Sequence, residues 1–293
     1  MLLLTAPTGN VGAEVVKLMM QDKPIPFRIG AHRPENIKRM YGDDAPAVYF
    51  DFDDRSTWDA VLDGVDKVFL VFPLPMPRNV KRWMIPFIDE MVKRGVKHVV
   101  YLDVTAAKDS EVVPHYHVER YLESSGIAYT FLRSSYFMQN LCRGLSTHGV
   151  DIVENDELFI PAGNGTMTFL DARDVAEAVV NIMKNPEPHE NKAYLLAGPE
   201  DIDMKQVASI FSDVFGRPIR YTNPNALQFA WRLFRRRVKW DVIGFMTIVY
   251  TITRRGQNSD FSPDLENLLG RKPRNMRQFV TEEKWRWDTR TWT

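Results

Sequence analysis

The first twelve residues constrain the fold of this chain more than any other stretch. Residues 2–5 form a short apolar run that predicts a buried strand, and residues 13–20 have the pattern of an amphipathic helix. The turn between them contains Gly9 and Gly12. A strand that enters a helix through such a turn forms a phosphate site, because the helix N-terminus presents unpaired backbone N–H groups and glycine allows close approach. The alternative interpretation is an ordinary strand-to-helix turn.

The whole turn supplies the first group of candidate cofactor contacts. These are Thr5, Ala6, Thr8, Gly9, Asn10, Val11 and Gly12. Gly9 would admit a diphosphate, and Gly12 would let the helix pack tightly on the strand. Ala6 replaces the usual first glycine. We expect it to tighten the turn without abolishing phosphate binding, because alanine tolerates most turn geometries.

The composition is that of an ordinary globular protein. The 38 basic and 38 acidic side chains cancel, so no bulk charge favours nucleic acid or an anionic membrane as a partner. The single cysteine, Cys142, excludes an internal disulfide and a cysteine-based metal cluster, and it suits a reducing compartment. We find no signal-peptide pattern and no apolar run long enough to span a bilayer. We therefore expect a cytoplasmic protein without a metal, nucleic-acid or membrane partner.

Apolar runs alternate with helical patterns along the first 141 residues. Strands are predicted at residues 2–5, 27–31, 47–50, 67–72, 98–102 and 128–133. This alternation predicts an α/β fold with a right-handed, doubly wound parallel sheet. From about residue 142 the rhythm loosens into short strands and then helices. The basic run at 235–239 is interleaved with aromatic residues, and we interpret it as a solvated helix face rather than a nucleic-acid patch.

Several candidate cofactor contacts follow the predicted strands. At the end of the second strand of such a unit an acid binds the ribose of NAD, whereas an arginine suits the 2′-phosphate of NADP. Arg33 stands there, with no acid at the strand end, which favours NADP(H) over NAD(H); a solvated surface arginine is the alternative. Asp51 follows the third strand and is a candidate for contact with adenine, for capping the helical segment near Ser56, or for both. Phe52, Phe72, Pro73 and Asp103 complete this group.

Many of these segments together resemble the NmrA-like family, a branch of the atypical short-chain dehydrogenases/reductases. They are the turn at 6–12, Arg33, His115, Glu119 and the segments 95–102, 125–133, 137–141, 169–176 and 194–199. The resemblance covers nearly the whole chain, in order. It implies that residues 1–141 form a Rossmann domain that binds NAD(P), with its sheet completed by segments near 168–197. It also implies that residues 142–293 are mostly a smaller α+β portion that closes over a substrate cleft.

The tyrosine and lysine used by typical short-chain dehydrogenases are not in place. Counting back from Glu119, the lysine position holds His115 and the tyrosine position holds Glu111. Tyr116 and Arg120 have the tyrosine–lysine spacing, but one residue out of register. Members of the family also lack the dyad, so the departure is compatible with the resemblance.

His115 is the main catalytic candidate. A histidine with an ordinary pKa near ~6.5 exchanges protons at neutral pH, and the alternative is a histidine that only supports the structure or orients the cofactor. By analogy with the family, Tyr136, Phe137 and Asn140 line the substrate cleft, and Tyr136 is a second catalytic candidate. Pro75 and Thr105 complete the candidate substrate contacts.

Two functions are compatible with these residues. The first is an NADPH-dependent reductase of a small conjugated acceptor, such as a quinone, enone, imine or dye. The family also contains regulators that bind the dinucleotide without known turnover, so the second is a non-catalytic NADP(H) sensor with a protein partner. A homodimer is left open, as is a Rossmann-type scaffold without a dinucleotide.

Overall fold

A computed structural model describes residues 1–73, 75–142, 147–256 and 260–288. The strands are β1 Leu2–Leu4, β2 Phe27–Ala31, β3 Ala47–Tyr49, β4 Lys67–Val71, β5 His98–Val104, β6 Ala128–Ser134, β7 Tyr136–Phe137, β8 Glu157–Leu158, β9 Thr166–Leu170, β10 Lys192–Leu196, β11 Asp201–Asp203 and β12 Arg220–Tyr221. The α-helices are α1 Asn10–Asp22, α2 Pro34–Tyr41, α3 Trp58–Leu62, α4 Pro77–Asn79, α5 Ile85–Lys93, α6 Pro114–Ser124, α7 Thr147–Glu154, α8 Ala172–Lys184, α9 Met204–Phe215, α10 Ala226–Arg235, α11 Trp240–Arg254, α12 Asp264–Leu269 and α13 Met276–Glu282. Short 3₁₀ segments lie at Arg55–Thr57, Thr105–Lys108, Met138–Leu141, Glu187–His189 and Lys284–Trp287.

Seven strands form one sheet in the order β10-β6-β5-β4-β1-β2-β3. Every neighbouring pair is parallel. This confirms the predicted doubly wound α/β fold. The order reverses at β1, which lies between β4 and β2. In such sheets a ligand binds outside the carboxyl ends of the strands at this reversal, which is where the glycine turn begins.

The chain divides into two compact units. The first contains Met1–Ser134, Ala172–Leu196 and Asp264–Arg271, and it includes the whole seven-stranded sheet. Within it α8 packs against α1. Its core is formed by apolar side chains of the sheet and of the helices that cover it.

A late segment of the chain belongs to this first unit, which the sequence pattern did not predict. The Asp264 carboxylate accepts a hydrogen bond of 2.8 Å from the backbone N–H of Leu195 in β10. Arg271 forms an ion pair of 2.9 Å with the buried Asp174 of α8. These contacts hold the segment against the edge of the sheet.

The second unit contains the described residues of Ser135–Asp171, Ala197–Pro263 and 272–288. It has two small sheets, ordered β11-β9-β7 and β12-β8, and helices that surround its own apolar core. This architecture confirms the expected smaller α+β portion. Among the described residues no helix combines the length and the apolarity that a membrane crossing requires.

The helical stretch that precedes β5 is not continuous. It consists of α4, a π-helical turn at Val80–Met84, and then α5. Pro86 lies at the start of α5 and has no backbone N–H to donate to the preceding turn. The wider π turn accommodates the missing donor.

Candidate functional site

The glycine turn joins β1 to α1 at the carboxyl edge of the sheet. Gly9 is the N-cap of α1 and provides no side-chain cap. Its N–H donates to the Ala6 carbonyl oxygen at 3.1 Å. The first N–H groups of a helix have no partner within that helix, and together with the helix dipole they attract an anion.

Gly9 and Gly12 are glycines for different structural reasons. A Cβ at Gly12 would lie well inside 3.0 Å of the Ala6 carbonyl oxygen, so the fold itself requires glycine there. A Cβ at Gly9 would meet the same oxygen at 3.5 Å, an ordinary van der Waals contact, and its φ of −77° is open to any residue. Gly9 therefore leaves room that the protein does not fill, as a diphosphate approaching the helix N-terminus requires.

The backbone conformation of Ala6 differs from what the sequence led us to expect. Its φ is 51°, in the left-handed region. This region costs an L-residue roughly 1–2 kcal/mol. The argument that alanine tolerates most turn geometries therefore does not hold for this turn, and retained phosphate binding stays a prediction. The turn forms nevertheless, and Ala6 supplies the carbonyl oxygen against which Gly9 and Gly12 are placed.

Thr5 ties the turn to the sheet. Its hydroxyl donates to the Phe69 carbonyl at 2.9 Å and accepts from the Val71 N–H at 2.9 Å. The side chain is completely buried and is used within the sheet. Of the other turn residues, Thr8 is exposed and Val11 is buried.

Arg33 lies directly after β2 as the N-cap residue of α2, and it is exposed. Arg28 of β2 has a structural role, because its guanidinium donates to the Val61 and Asp63 carbonyls at 3.0 and 2.7 Å. Arg33 is therefore the exposed arginine at this strand end, and its contact with a 2′-phosphate stays a prediction.

Asp51 follows β3, and its carboxylate lies 3.2 Å from His32 Nδ1. The suggestion that it caps the segment near Ser56 was wrong. Asp54 is the N-cap there, since its carboxylate accepts from the Ser56 N–H at 3.1 Å. The reason is local: Asp51 instead closes its own turn by accepting from the Asp53 N–H.

The remaining cofactor and substrate candidates of this unit follow β3, β4 and β5. The Phe52 ring is buried against Phe87, with centroids 5.2 Å apart, so only the Phe52 backbone is free to contact a ligand. Phe72 is also buried, and its ring meets that of His115 edge-on at 5.5 Å. The other candidates at this edge are Pro73, Pro75 and Thr105, of which Pro75 is exposed.

His115 lies in the first turns of α6 and faces the end of β5. Its Nδ1 is 2.7 Å from the Tyr101 hydroxyl and 3.0 Å from Asp103 Oδ1. All three side chains are buried. Burial lowers the pKa of His115 to about 4, so the imidazole is neutral at neutral pH. The expectation of a histidine that titrates near pH 6.5 was wrong, because a buried cation loses its hydration.

Asp103 belongs to the same cluster and is held in its neutral form. Burial, the hydrogen bond to Glu119 and the Glu119 charge raise the pKa of Asp103 to about 9. Its Oδ1 also accepts from the Val104 N–H at 2.7 Å. At pH 7 Asp103 is therefore a carboxylic acid that can donate to a neighbour.

Glu119 and Arg133 complete the cluster. The residues alone did not predict that these two side chains belong to it. Arg133 donates twice to the Glu119 carboxylate, at 2.7 and 2.8 Å. Burial opposes ionisation of Glu119, but the hydrogen bonds from Arg133 and Asp103 lower its pKa. The pair links α6 to β6. Only the resemblance, which contains both residues, drew attention to them.

The second unit places Tyr136 in another buried network. The Tyr136 hydroxyl lies 2.6 Å from that of Tyr250, which in turn lies 2.6 Å from His148 Nε2. Asn140 also hydrogen bonds to Tyr136. Burial raises the pKa of Tyr136 to about 12 and lowers that of His148 to about 4. Neither partner was predicted, because Tyr250 lies 114 residues from Tyr136 along the chain and His148 has no motif around it.

Phe137 lies next to Tyr136 in β7 and is aligned with Leu170 of β9. Its side chain is partly exposed, as are those of Tyr136 and Asn140. The three substrate-contact candidates of this unit therefore lie on one short stretch of chain. Their contact with a substrate stays a prediction.

Two protein sequences are similar to this chain over most of its length. Prestalk A differentiation protein A of Dictyostelium discoideum is 27% identical over 283 residues, which cover 96% of this chain and 91% of that protein. NAD(P)H azoreductase of Xenophilus azovorans is 34% identical over 229 residues, 75% of this chain and 76% of that enzyme.

A solved structure has the same fold. The Citrobacter sp. triphenylmethane reductase complexed with NADP(H) matches with a TM-score of 0.83 at 20% identity, and the match covers 96% of this chain and 99% of that one. The model of the NmrA-like family matches residues 1–277. Because this match spans both compact units, the chain belongs to the NmrA-like family.

Proposed function

We propose that this chain is an NADPH-dependent reductase of a small, flat, conjugated acceptor, such as a quinone, enone, imine or dye. The observation that carries the proposal is the turn between β1 and α1. Gly12 is required by the fold, whereas Gly9 leaves space above a helix N-terminus that the protein itself does not use. That space has the position and the electrostatics of a diphosphate site.

The preference for NADP(H) rests on Arg33. It is exposed two residues after β2, and the sequence at this strand end, residues 31–34, contains an arginine and no acid. Its guanidinium can pair with a 2′-phosphate in a bidentate manner. The similarity to an NAD(P)H azoreductase supports reduction of an extended conjugated compound. We assign the cofactor to the first unit and the substrate contacts mainly to the second.

The reaction requires few groups from the protein itself, because a bound nicotinamide supplies the hydride. The Tyr101, Asp103 and His115 cluster is buried and neutral at pH 7, and we assign it the role of orienting the cofactor. The Tyr136 hydroxyl stays protonated at all ordinary pH values, because its pKa is about 12. It can therefore donate a hydrogen bond to an acceptor but cannot act as a base.

His115→Gln is expected to lower kcat/KM about tenfold without changing the pH profile between about pH 5.5 and 8. The reason is that His115, with its pKa near 4, is neutral over this range in the wild type. Steady-state kinetics of both proteins across this range provide the measurement. His117→Gln is the matched control, since His117 is exposed on the same helix. A wild-type inflection near pH 6.5 that His115→Gln removes would show that His115 is the proton donor after all.

The activity is tested by following NADPH oxidation with a panel of quinones, enones, imines and azo or triphenylmethane dyes. We expect turnover of at least one class, with NADPH preferred over NADH. Gly9→Ala is the control, because it weakens the cofactor site without touching the acceptor contacts. Tight binding of NADPH with no turnover of any acceptor would reject the reductase and support the alternative of a non-catalytic sensor.

A further inference from the structure

Helix α10 carries apolar side chains on two sides. Phe229 and Leu233 are completely buried in the core of the second unit. On the outer side Leu227 is 83% exposed, Trp231 is 62% exposed, and Phe234 is exposed as well. These three residues follow one another at spacings of four and three, so they form a stripe along the helix.

Helix α11 continues this surface. Its residues Ile243 and Tyr250 are buried, whereas Val242, Phe245 and Ile248 are exposed at three-residue intervals. The exposed Trp240, at the start of α11, connects the two helices. Its ring stacks on that of Phe234 at 5.0 Å, and Phe234 lies 5.8 Å from Trp231. We call Leu227, Trp231, Phe234, Trp240, Val242, Phe245 and Ile248 the α10–α11 apolar face.

The same segment is strongly basic, although the chain as a whole is neutral. Residues 226–255 contain seven arginines or lysines and one acid, Asp241. The Asp241 carboxylate is bound to the N–H of Val242. Arg232 and Arg236 pair with the buried Asp151.

Three other cations of this segment lie among the exposed aromatic rings. Arg235, Arg237 and Lys239 are exposed, and none of them forms an ion pair with a described residue. Positive charge is thus concentrated beside the α10–α11 apolar face.

We propose that the α10–α11 apolar face binds the surface of a membrane that contains anionic lipid. An amphipathic element with exposed tryptophan, phenylalanine and leucine and with flanking arginine and lysine is typical of proteins that lie in the headgroup region. Tryptophan rings insert at the membrane–water interface, and the cations pair with the phosphate groups of the lipids. Isolated exposed apolar residues are normal, but seven of them on two consecutive helices, with Trp231, Phe234 and Trp240 in ring contact, mark an interaction site.

Charge and chemistry exclude the other obvious occupants. A symmetric dimer through this face would bring the same basic patch of two copies together, and like charges repel. Nucleic acid would neutralise the cations, but it offers no apolar surface to Leu227, Phe245 or Ile248. The proposal revises the sequence-based expectation that the chain has no membrane partner, and it requires no helix to cross a bilayer.

The experiment is co-sedimentation of the full chain with vesicles. One set contains an equimolar mixture of phosphatidylglycerol and phosphatidylcholine, and the other contains phosphatidylcholine alone. We expect binding to the anionic vesicles that is at least about tenfold tighter than to the neutral ones and that weakens at high salt. A blue shift of tryptophan emission on binding would report burial of the exposed rings.

Two double variants separate the charges from the apolar side chains. Arg235→Glu with Lys239→Glu, and Trp231→Ser with Phe245→Ser, are each expected to weaken binding at least about tenfold. The matched control is Lys205→Glu with Arg220→Glu, two exposed cations of the same unit, which should leave binding unchanged. Circular dichroism confirms that each variant is folded.

Four results would overturn the proposal. They are no binding to anionic vesicles, binding that neither double variant weakens, self-association through this face without vesicle binding, and binding of a labelled DNA duplex but not of vesicles.

Discussion

Gly12→Ala is expected to destabilise the protein by about 2–3 kcal/mol. The added Cβ would collide with the backbone carbonyl of Ala6, which cannot rotate away as a side chain could. The gain in helix propensity from glycine to alanine returns only about 1 kcal/mol. Urea denaturation monitored by circular dichroism measures the loss as a lower midpoint.

Gly9→Ala is the matched partner of that variant. Its Cβ meets only an ordinary contact of 3.5 Å, so the free energy of unfolding should be unchanged. NADPH affinity should fall at least about tenfold, because the methyl group occupies the approach of the diphosphate. If both variants were equally stable, or if Gly9→Ala bound NADPH as well as the wild type does, the assignment of the two glycines would be wrong.

Arg133→Met is expected to cost about 3–5 kcal/mol of stability. It removes the two hydrogen bonds that hold the Glu119 carboxylate, and it leaves that charge buried beside Asp103. The control is Arg120→Met. Arg120 also pairs with Glu119, at 3.2 Å, but it is exposed. Its replacement should lower the free energy of unfolding by less than about 1 kcal/mol.

The loss of stability in Arg133→Met should depend on pH. In the wild type the pKa of Glu119 is lowered, so its stabilising effect is present above the ordinary pKa and is lost as the pH falls through the lowered one. Without Arg133 the pKa of Glu119 rises, and protonation removes the buried charge that Arg133 no longer balances. The stability difference from the wild type should therefore shrink as the pH is lowered from 7 toward 5.

A second substitution tests the same pair by rescue. Adding Glu119→Gln to Arg133→Met should recover most of the loss, because the buried charge is gone. Denaturation curves of the two single variants and the double variant form the cycle. A deficit that does not depend on pH, or a double variant no more stable than Arg133→Met, would show that the pair acts through packing alone.

Local patterns were sufficient to predict much of the fold. The predicted second strand at residues 27–31 is β2 as observed, because the apolar run and its flanking prolines and arginine define it locally. The doubly wound parallel arrangement follows from the alternation of strands and helices and from the right-handed βαβ rule. The glycine turn was recognisable for the same reason, since all of its parts lie within a dozen residues.

Other features depend on contacts that no local pattern contains. The low pKa of His115 comes from burial among Tyr101 and Asp103 of β5 and Phe72, which directly follows β4. Ala6 adopts a left-handed φ of 51°, against the preference of alanine. Arg28 lies on β2, five residues before Arg33, and its guanidinium donates to two carbonyls near the end of α3.

The most direct test of the cofactor site is a thermal-shift titration with NADPH, NADP+, NADH and NAD+. A dinucleotide at about 100 times its Kd should stabilise the fold by about 2.7 kcal/mol. We expect a clear rise in Tm with the NADP pair, a smaller one with the NAD pair, and loss of this difference in Arg33→Ala. No rise with any of the four would contradict the dinucleotide site, and an equal rise with NADP(H) and NAD(H) would contradict the role of Arg33.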